Sequence, residues 1–278
     1  MSSGTVVVTG ASSGIGEATA RHLAELGFDV LAGVRRDEDA QRLGGGRITP
    51  LKLDVTDQAS IDAAAAQVTG PLAGLVNNAG VAIAGPLEYV PVDDFRRQLE
   101  VNLVGQVAVT QALLPRIREG RGRIVFISSI GGLIALPLAG PYAASKHAIE
   151  AVADSLRREL RPWGLHVAAV EPGAVATPIW DKSTAEADER VQDAPPELDE
   201  RYGDVIAKLR EETASFGRDG TDPREVAEVV AHALTASRPK TRYLVGRDAK
   251  VRARLSKLLP DRAMDALIGR ALGQRKRT

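Results

Sequence analysis

The 278-residue chain has no cysteine. Disulfide frameworks, thiol nucleophiles and cysteine-held metals are therefore excluded, and a cytoplasmic location is the expectation. Aromatic residues are scarce, at 4% against 44% hydrophobic residues in all, so the core must be aliphatic. Net charge is missing too: 36 Lys and Arg balance 36 Asp and Glu. A neutral chain has no global attraction for nucleic acid or an anionic membrane, so neither is expected as a partner. No run approaches the ~18 apolar residues that a membrane-spanning helix requires. The start, Met1 to Thr9, lacks a basic stretch ahead of an apolar one, so no signal peptide is expected. Repeats and low-complexity linkers are also lacking, and the length suits one large domain over 1–278.

What is present is alternation. Short apolar runs such as Val6–Val8, Val30–Ala32, Leu51–Leu53, Leu75–Val76, Ile124–Ile127 and Val167–Val170 are separated by amphipathic segments such as Ile15–Leu26 and Ser60–Val68. Unbroken apolar runs suit strands covered on both faces. The rhythm predicts an α/β fold: a doubly wound Rossmann-type parallel sheet with helices on both faces. Residues 181–212 depart from it, with eleven acidic and five basic residues around Pro195-Pro196; they read as charged helices joined by a turn. Residues 247–278, with ten basic and three acidic residues, read as two amphipathic helices broken at Pro260. Arg224–Ser237 reads as a helix and Arg242–Val245 as the last strand.

Gly10, Gly14 and Gly16 follow the first strand and open the first helix, in Thr9-Gly10-Ala11-Ser12-Ser13-Gly14-Ile15-Gly16. Glycines there let the chain turn tightly and a pyrophosphate approach the backbone. The helix start offers free N–H groups to that phosphate, and Ser12 and Ser13 add hydroxyls. An acidic residue ending the second strand would hold the ribose hydroxyls of NAD. The strand ends instead at Gly33-Val34, followed by Arg35-Arg36. A guanidinium suits a 2′-phosphate, so NADP is preferred to NAD, with Arg35 as its ligand; the alternative makes both arginines solvated helix-cap residues. Asp54-Val55, ending the third strand, could meet the adenine amino group, the alternative being a helix cap. The small residues of Asn78-Ala79-Gly80 would let the chain pass close to a ribose.

Tyr142 and Lys146 lie four apart near the start of a helical segment, Pro141–Leu160, on one face. Tyrosine ionises near pH 10, and a nearby ammonium favours the phenolate, so Lys146 is expected to lower the Tyr142 pKa. Ser129 ends the fifth strand thirteen residues earlier. Neighbouring strand residues face opposite ways, so Ser129 is the candidate hydroxyl donor and Ser128 the alternative. Asn102, inside a helix-like segment, has no obvious structural advantage there; the alternative is a packed polar residue. His22, His147, His166 and His232 are scattered and read as structural, and no metal is expected.

Taken in order, T-G-x-x-x-G-I-G, N-N-A-G, V-N-L, I-S-S, Y-x-x-S-K and P-G-x-x-x-T resemble the short-chain dehydrogenase/reductase family, over roughly residues 5–180. The likeness implies an oxidoreductase interconverting an alcohol and a ketone or aldehyde by hydride transfer to or from NADP. It implies Tyr142 as general acid/base, Ser129 as donor to the substrate oxygen, and Lys146 as ligand of the nicotinamide ribose. Asn102 would anchor a relay water, while Thr177 with Pro172, Gly173 and Val175 would meet the carboxamide. Ser13 departs from many NADP-using relatives, which carry a basic residue before Gly14. The preference for NADP therefore rests on Arg35.

In this family the segment after P-G covers the substrate, here residues 178–216. Ile134, Leu136, Leu138 and Trp180 would wall the pocket. The long lid, and an expected lack of clustered basic residues at its mouth, point to a bulky apolar alcohol or ketone of the kind used by steroid- and retinol-type members. A 3-oxoacyl reductase of lipid metabolism and a non-catalytic NADPH sensor are the alternatives, and a membrane-surface role for the basic tail is a further one. The family likeness also implies a homodimer or homotetramer.

Overall fold

The apolar runs become strands because both faces of each are covered. The structure, a computed structural model, describes residues 3–192 and 194–274; Asp193 of the expected lid and the last four residues of the basic tail lie outside it. Among the described residues the strands are β1 (Thr5–Val8), β2 (Asp29–Val34), β3 (Ile48–Lys52), β4 (Leu72–Asn77), β5 (Arg123–Ile127), β6 (His166–Pro172) and β7 (Arg242–Val245). They form one sheet, ordered β3-β2-β1-β4-β5-β6-β7, with every neighbouring pair parallel.

The helices are α1 (Gly14–Glu25), α2 (Asp37–Leu43), α3 (Gln58–Gln67), α4 (Val92–Leu99), α5 (Gly105–Glu119), α6 (Gly140–Leu160), α7 (Ile179–Gln192), α8 (Glu197–Asp219), α9 (Pro223–Thr235), α10 (Arg247–Leu258) and α11 (Asp261–Ala271). Local signals set several of their starts. Asp57 accepts from Ala59 N at 3.0 Å ahead of α3. Asp222 accepts from Arg224 N at 2.8 Å ahead of α9, whose first residue is Pro223. Pro195-Pro196 separate α7 from α8, and Pro260 separates α10 from α11, as the sequence predicts.

Alternation along the strands divides the core in two. Val6 and Val8 face Ala20 and Leu23 of α1 and Val226 and Val230 of α9. Val7 faces the other way, into a cluster with Ile61 of α3, Val109 and Leu113 of α5 and Ile149 of α6. Full burial of each such side chain contributes about 1.5–3 kcal/mol. The chain builds β1, β2 and β3 outward on one side, then returns to place β4 on the other side of β1. This reversal opens a crevice beyond the carboxyl ends of the strands, where ligands bind in open α/β sheets. The loops after β1, β4, β5 and β6 carry the sequence motifs, and all of them emerge there. No helix among the described residues is long and apolar enough to cross a membrane.

One segment differs from the plain helix expected around Asn102. Glu100–Val104 is a π-helical turn joining α4 to α5. Immediately after it, α5 presses on the loop beyond β3: a Cβ on Gly105 would lie 2.3 Å from the Val55 carbonyl oxygen. Gly105→Ala should therefore lower unfolding stability by about 1–3 kcal/mol, read as a lower denaturant midpoint. An unchanged midpoint would contradict the contact.

Candidate active site

The loop after β1 is shaped by close approaches that only glycine permits. Gly10 (φ +63°) and Gly14 (φ +56°) are left-handed. A Cβ on Gly10 would lie 2.7 Å from Ala79 Cα, and one on Gly16 2.2 Å from the Gly10 carbonyl oxygen. Thr9 Oγ1 accepts from Asn78 N and Ala79 N, both at 2.9 Å, while Asn78 Nδ2 donates to Thr9 O at 2.9 Å and Gly10 O at 3.1 Å. The loops after β1 and β4 are thus locked together. Ser13 precedes α1 without making a side-chain cap bond, so no side-chain cap competes for the first-turn N–H groups. The structure brings these residues, Arg35, Asp54, Val55, Asn78, Ala79, Gly80, Pro172, Gly173, Val175 and Thr177 around one cleft. Gly16 stands behind the lining.

The two arginines after β2 separate. Arg36 is held by Asp39 at 2.9 Å. Arg35 is exposed, lines the cleft and has no ion-pair partner among the described residues. Asp54 accepts from Thr56 N at 2.9 Å and Thr56 Oγ1 at 2.7 Å. Burial pushes its carboxyl up, but these bonds and the Arg35 charge outweigh that and hold it below the usual range.

Tyr142 and Lys146 share a face of α6, as their spacing predicts. The Lys146 Nζ lies 5.7 Å from the centre of the Tyr142 ring and donates to the Ile127 carbonyl at 2.7 Å. Ser129 Oγ accepts from Gly131 N at 3.0 Å and also bonds to Tyr142. Ser128 Oγ is buried without a hydrogen-bond partner. Of the two hydroxyls, Ser129 is the one that engages Tyr142.

The expected depression of the Tyr142 pKa is not found. Burial pushes the phenol up, and the Ser129 bond, which works the other way, does not cancel it. The lysine suffers the same burial, which lowers it to about 8 although the Glu150 carboxylate opposes the change. Its amine is also spent on the Ile127 carbonyl, so desolvation outweighs the charge effect in this state.

Asn102 likewise departs from expectation, because its side chain has a clear structural use. Oδ1 accepts from Val81 N at 2.9 Å, and Nδ2 donates to Val81 O at 3.0 Å and Ser145 Oγ at 3.1 Å. Ser145 Oγ in turn donates to the Tyr142 carbonyl at 2.7 Å. Sequence reasoning missed Ser145 as a link, although it stands inside the Y-x-x-S-K motif.

A second, mainly apolar cavity of about 1470 Å³, open mouth included, adjoins the cleft beneath α7 and α8. Ile83, Ile134, Leu136, Leu138, Trp180 and Phe216 line it. Trp180 Nε1 donates to Val175 O at 2.9 Å, and its ring meets Phe216 edge-on at 5.2 Å. Leu138 adopts φ +65°, a strained value for a branched residue. Its carbonyl accepts from Gly85 N at 2.7 Å. The expected lack of basic residues is corrected: Arg190, Arg210 and Arg252 all line this cavity. Arg190 is held by Asp94 at 3.1 Å and Arg210 pairs with Asp188, so two of the three charges are matched locally. Tyr142 and Ser129 line both the cavity and the cleft.

The model of the short chain dehydrogenase family matches residues 4–188. An NADPH-dependent 3-dehydrocapnine reductase from Ornithobacterium rhinotracheale is 36% identical over 274 residues, covering 94% of both chains. Retinol dehydrogenase 5 from Mus musculus is 39% identical over 279 residues, covering 95% of this chain and 87% of the relative. A short chain dehydrogenase from Burkholderia cenocepacia, solved in complex with NADP, superposes with a TM-score of 0.75 at 27% identity, covering 96% of this chain and 98% of that one.

Proposed function

The chain belongs to the short chain dehydrogenase family, and from that premise we propose that it interconverts a bulky, mostly apolar alcohol with its ketone or aldehyde, using NADP(H). The observation that carries this reading is the position of Tyr142 and Ser129 on the wall common to the nucleotide cleft and the apolar cavity. A carbonyl in the cavity would reach both hydroxyls while facing the cleft.

The cleft's residues fit the dinucleotide. The glycine loop leaves no room for Cβ atoms, the first turn of α1 offers N–H groups, and Arg35 is an exposed cation on the cleft wall near Asp54. The bound nicotinamide would supply the hydride. Tyr142 would donate its proton to the substrate oxygen in reduction and accept it in oxidation, with Ser129 holding that oxygen. Burial keeps the phenol protonated in the free protein, which suits the donor role. Lys146 would bind the nicotinamide ribose, and its ammonium would ease loss of the Tyr142 proton. Asn102 keeps Val81 and Ser145 in place beneath that pair, and a water relay at this residue belongs to the same proposal.

Helices α7 and α8 would form the lid, with Leu136 and Trp180 as substrate contacts. The apolar lining and the retinol dehydrogenase likeness support a bulky apolar substrate. NADP in preference to NAD is supported by Arg35 and by the named NADPH dependence of one relative. Assembly as a homodimer or homotetramer through the segments carrying Asn102 and Tyr142 is supported by the family likeness, with Val104 48% exposed beside Asn102.

Two substitutions test the reading. Tyr142→Phe should cut turnover of a ketone or aldehyde panel by about 10²–10⁴-fold with dinucleotide affinity retained; turnover at the wild-type rate would refute its role. Arg35→Asp should move the NADP-to-NAD ratio of kcat/KM toward NAD by about 10-fold or more, as loss of a charged hydrogen bond implies. An unmoved ratio would remove the phosphate assignment.

A further inference from the structure

Two buried carboxyl groups stand behind Lys146, and nothing in the mechanism above uses them. Glu150 lies one turn beyond Lys146 on α6. Glu171 lies on β6, immediately before Pro172-Gly173. Their side chains are only 8% and 1% exposed. Arg242 of β7 sits against both, its Nε 3.0 Å from Glu150 Oε2 and 3.2 Å from Glu171 Oε1, while its Nη2 lies 3.1 Å from Asp154 Oδ1. The two carboxyl groups are within hydrogen-bond reach of each other. Yet Glu150 Oε1 has no aligned hydrogen bond among the described residues, and Glu171 Oε1 meets Arg242 Nε only as an ion-pair contact, because that N–H is directed at Glu150 Oε2. Two ionised carboxylates can only accept, so neither can satisfy the other unless one of them carries a proton.

The surroundings fit one proton and one negative charge. The charged groups facing the pair are Arg242 of β7, Asp154 and Lys146 of α6 and Lys257 of α10. Asp154 already engages Arg157 and Arg158. From the loop after β5, Gly132 closes the remaining side: a Cβ there would lie 3.1 Å from Glu150 Cγ and 3.0 Å from the Lys146 carbonyl oxygen. The Ser128 hydroxyl lies on the same side, 2.9 Å from that Cβ position.

We propose that Glu150 and Glu171 share one proton against Arg242, and that this pair is a positioning device that keeps the Lys146 ammonium charged as pH rises. The inference rests on the Tyr142–Lys146 reading above. The charge on Glu150 opposes the effect of burial on Lys146. Burial and the neighbouring Glu150 raise Glu171 to about 7. Below that pH the pair carries one negative charge. As pH passes it, the shared proton leaves, and the pair, whose Glu150 member acts on Lys146, becomes doubly negative in the range where the lysine itself would discharge. The pair thereby widens the range over which the ammonium survives.

The test is the pH dependence of kcat for the best ketone or aldehyde of the panel, in wild type, Glu150→Gln, Glu150→Asp and Glu171→Gln. Infrared spectra of the resting proteins supply a second readout that needs no turnover. Wild-type kcat should fall as Lys146 discharges. Glu150→Gln should move that fall to lower pH by about one unit, the effect expected of removing one charge at partly buried range. Glu150→Asp should restore most of the shift, and Glu171→Gln should produce a smaller one. The infrared spectrum at neutral pH should contain a protonated-carboxyl stretch that Glu171→Gln removes. Should Glu150→Gln not fold, Glu171→Gln and the infrared band decide. Equal loss of kcat at every pH, with the fall unmoved, would reduce the cluster to a structural role and overturn the inference alone, as would absence of the carboxyl band. A wild-type profile with no alkaline fall would overturn the Tyr142–Lys146 reading, and the inference with it.

Discussion

A lysine amine taken out of water must find partners or lose its proton, and the centre of this molecule is organised around that constraint. Lys146 is buried behind Tyr142, bonded to the Ile127 carbonyl at the end of β5 and followed one helical turn later by Glu150. The end of β5 therefore has to lie beside α6 for the amine to reach this carbonyl. The same burial raises the phenol and lowers the amine. Both shifts favour the neutral form, as low dielectric dictates. The tyrosine thus rests as an acid, and its ionisation depends on what charge enters or is held nearby.

The rest of the site is a set of close approaches between strand ends. Thr9 and Asn78 tie the loops after β1 and β4 through four hydrogen bonds. Asn102 and Ser145 tie the π-helical turn to the start of α6. Asp248 at the start of α10 accepts from Ala174 N at 2.9 Å, holding the loop after β6. The basic C-terminal segment is therefore partly structural: its first helix fixes the loop that would meet the nicotinamide. The crevice is cross-linked by hydrogen bonds where the dinucleotide would lie, and the apolar cavity is roofed by the two helices α7 and α8.

Much of this was legible in the sequence because its cause is local. Parallel strands read as apolar runs, and β7 falls on the expected residues Arg242–Val245. Gly10 and Gly14 were recognisable because no other residue suits their backbone, and Tyr142 and Lys146 because helical spacing fixes their common face. Other features depend on distant parts of the chain and left no local mark. Arg242 meets Glu150 across 92 positions of sequence. Asn102 looked out of place in a helix because its partners Val81 and Ser145 lie on other segments. The direction of the Tyr142 shift depends on how deeply the phenol is buried, which spacing to Lys146 does not encode. The arginines around the cavity were missed because their acidic neighbours, such as Asp94 on α4, are brought there by folding.

With only four tyrosines in the chain, the ionisation of Tyr142 can be followed directly by nuclear magnetic resonance of ring-labelled protein, with and without NADP, in wild type and Lys146→Met. In the free wild-type protein Tyr142 should titrate above the ordinary value of 10.0. Binding of the oxidised dinucleotide should lower it, and Lys146→Met should abolish that drop. A free-protein Tyr142 that titrates below the ordinary value, or a drop that persists without the lysine, would contradict the account.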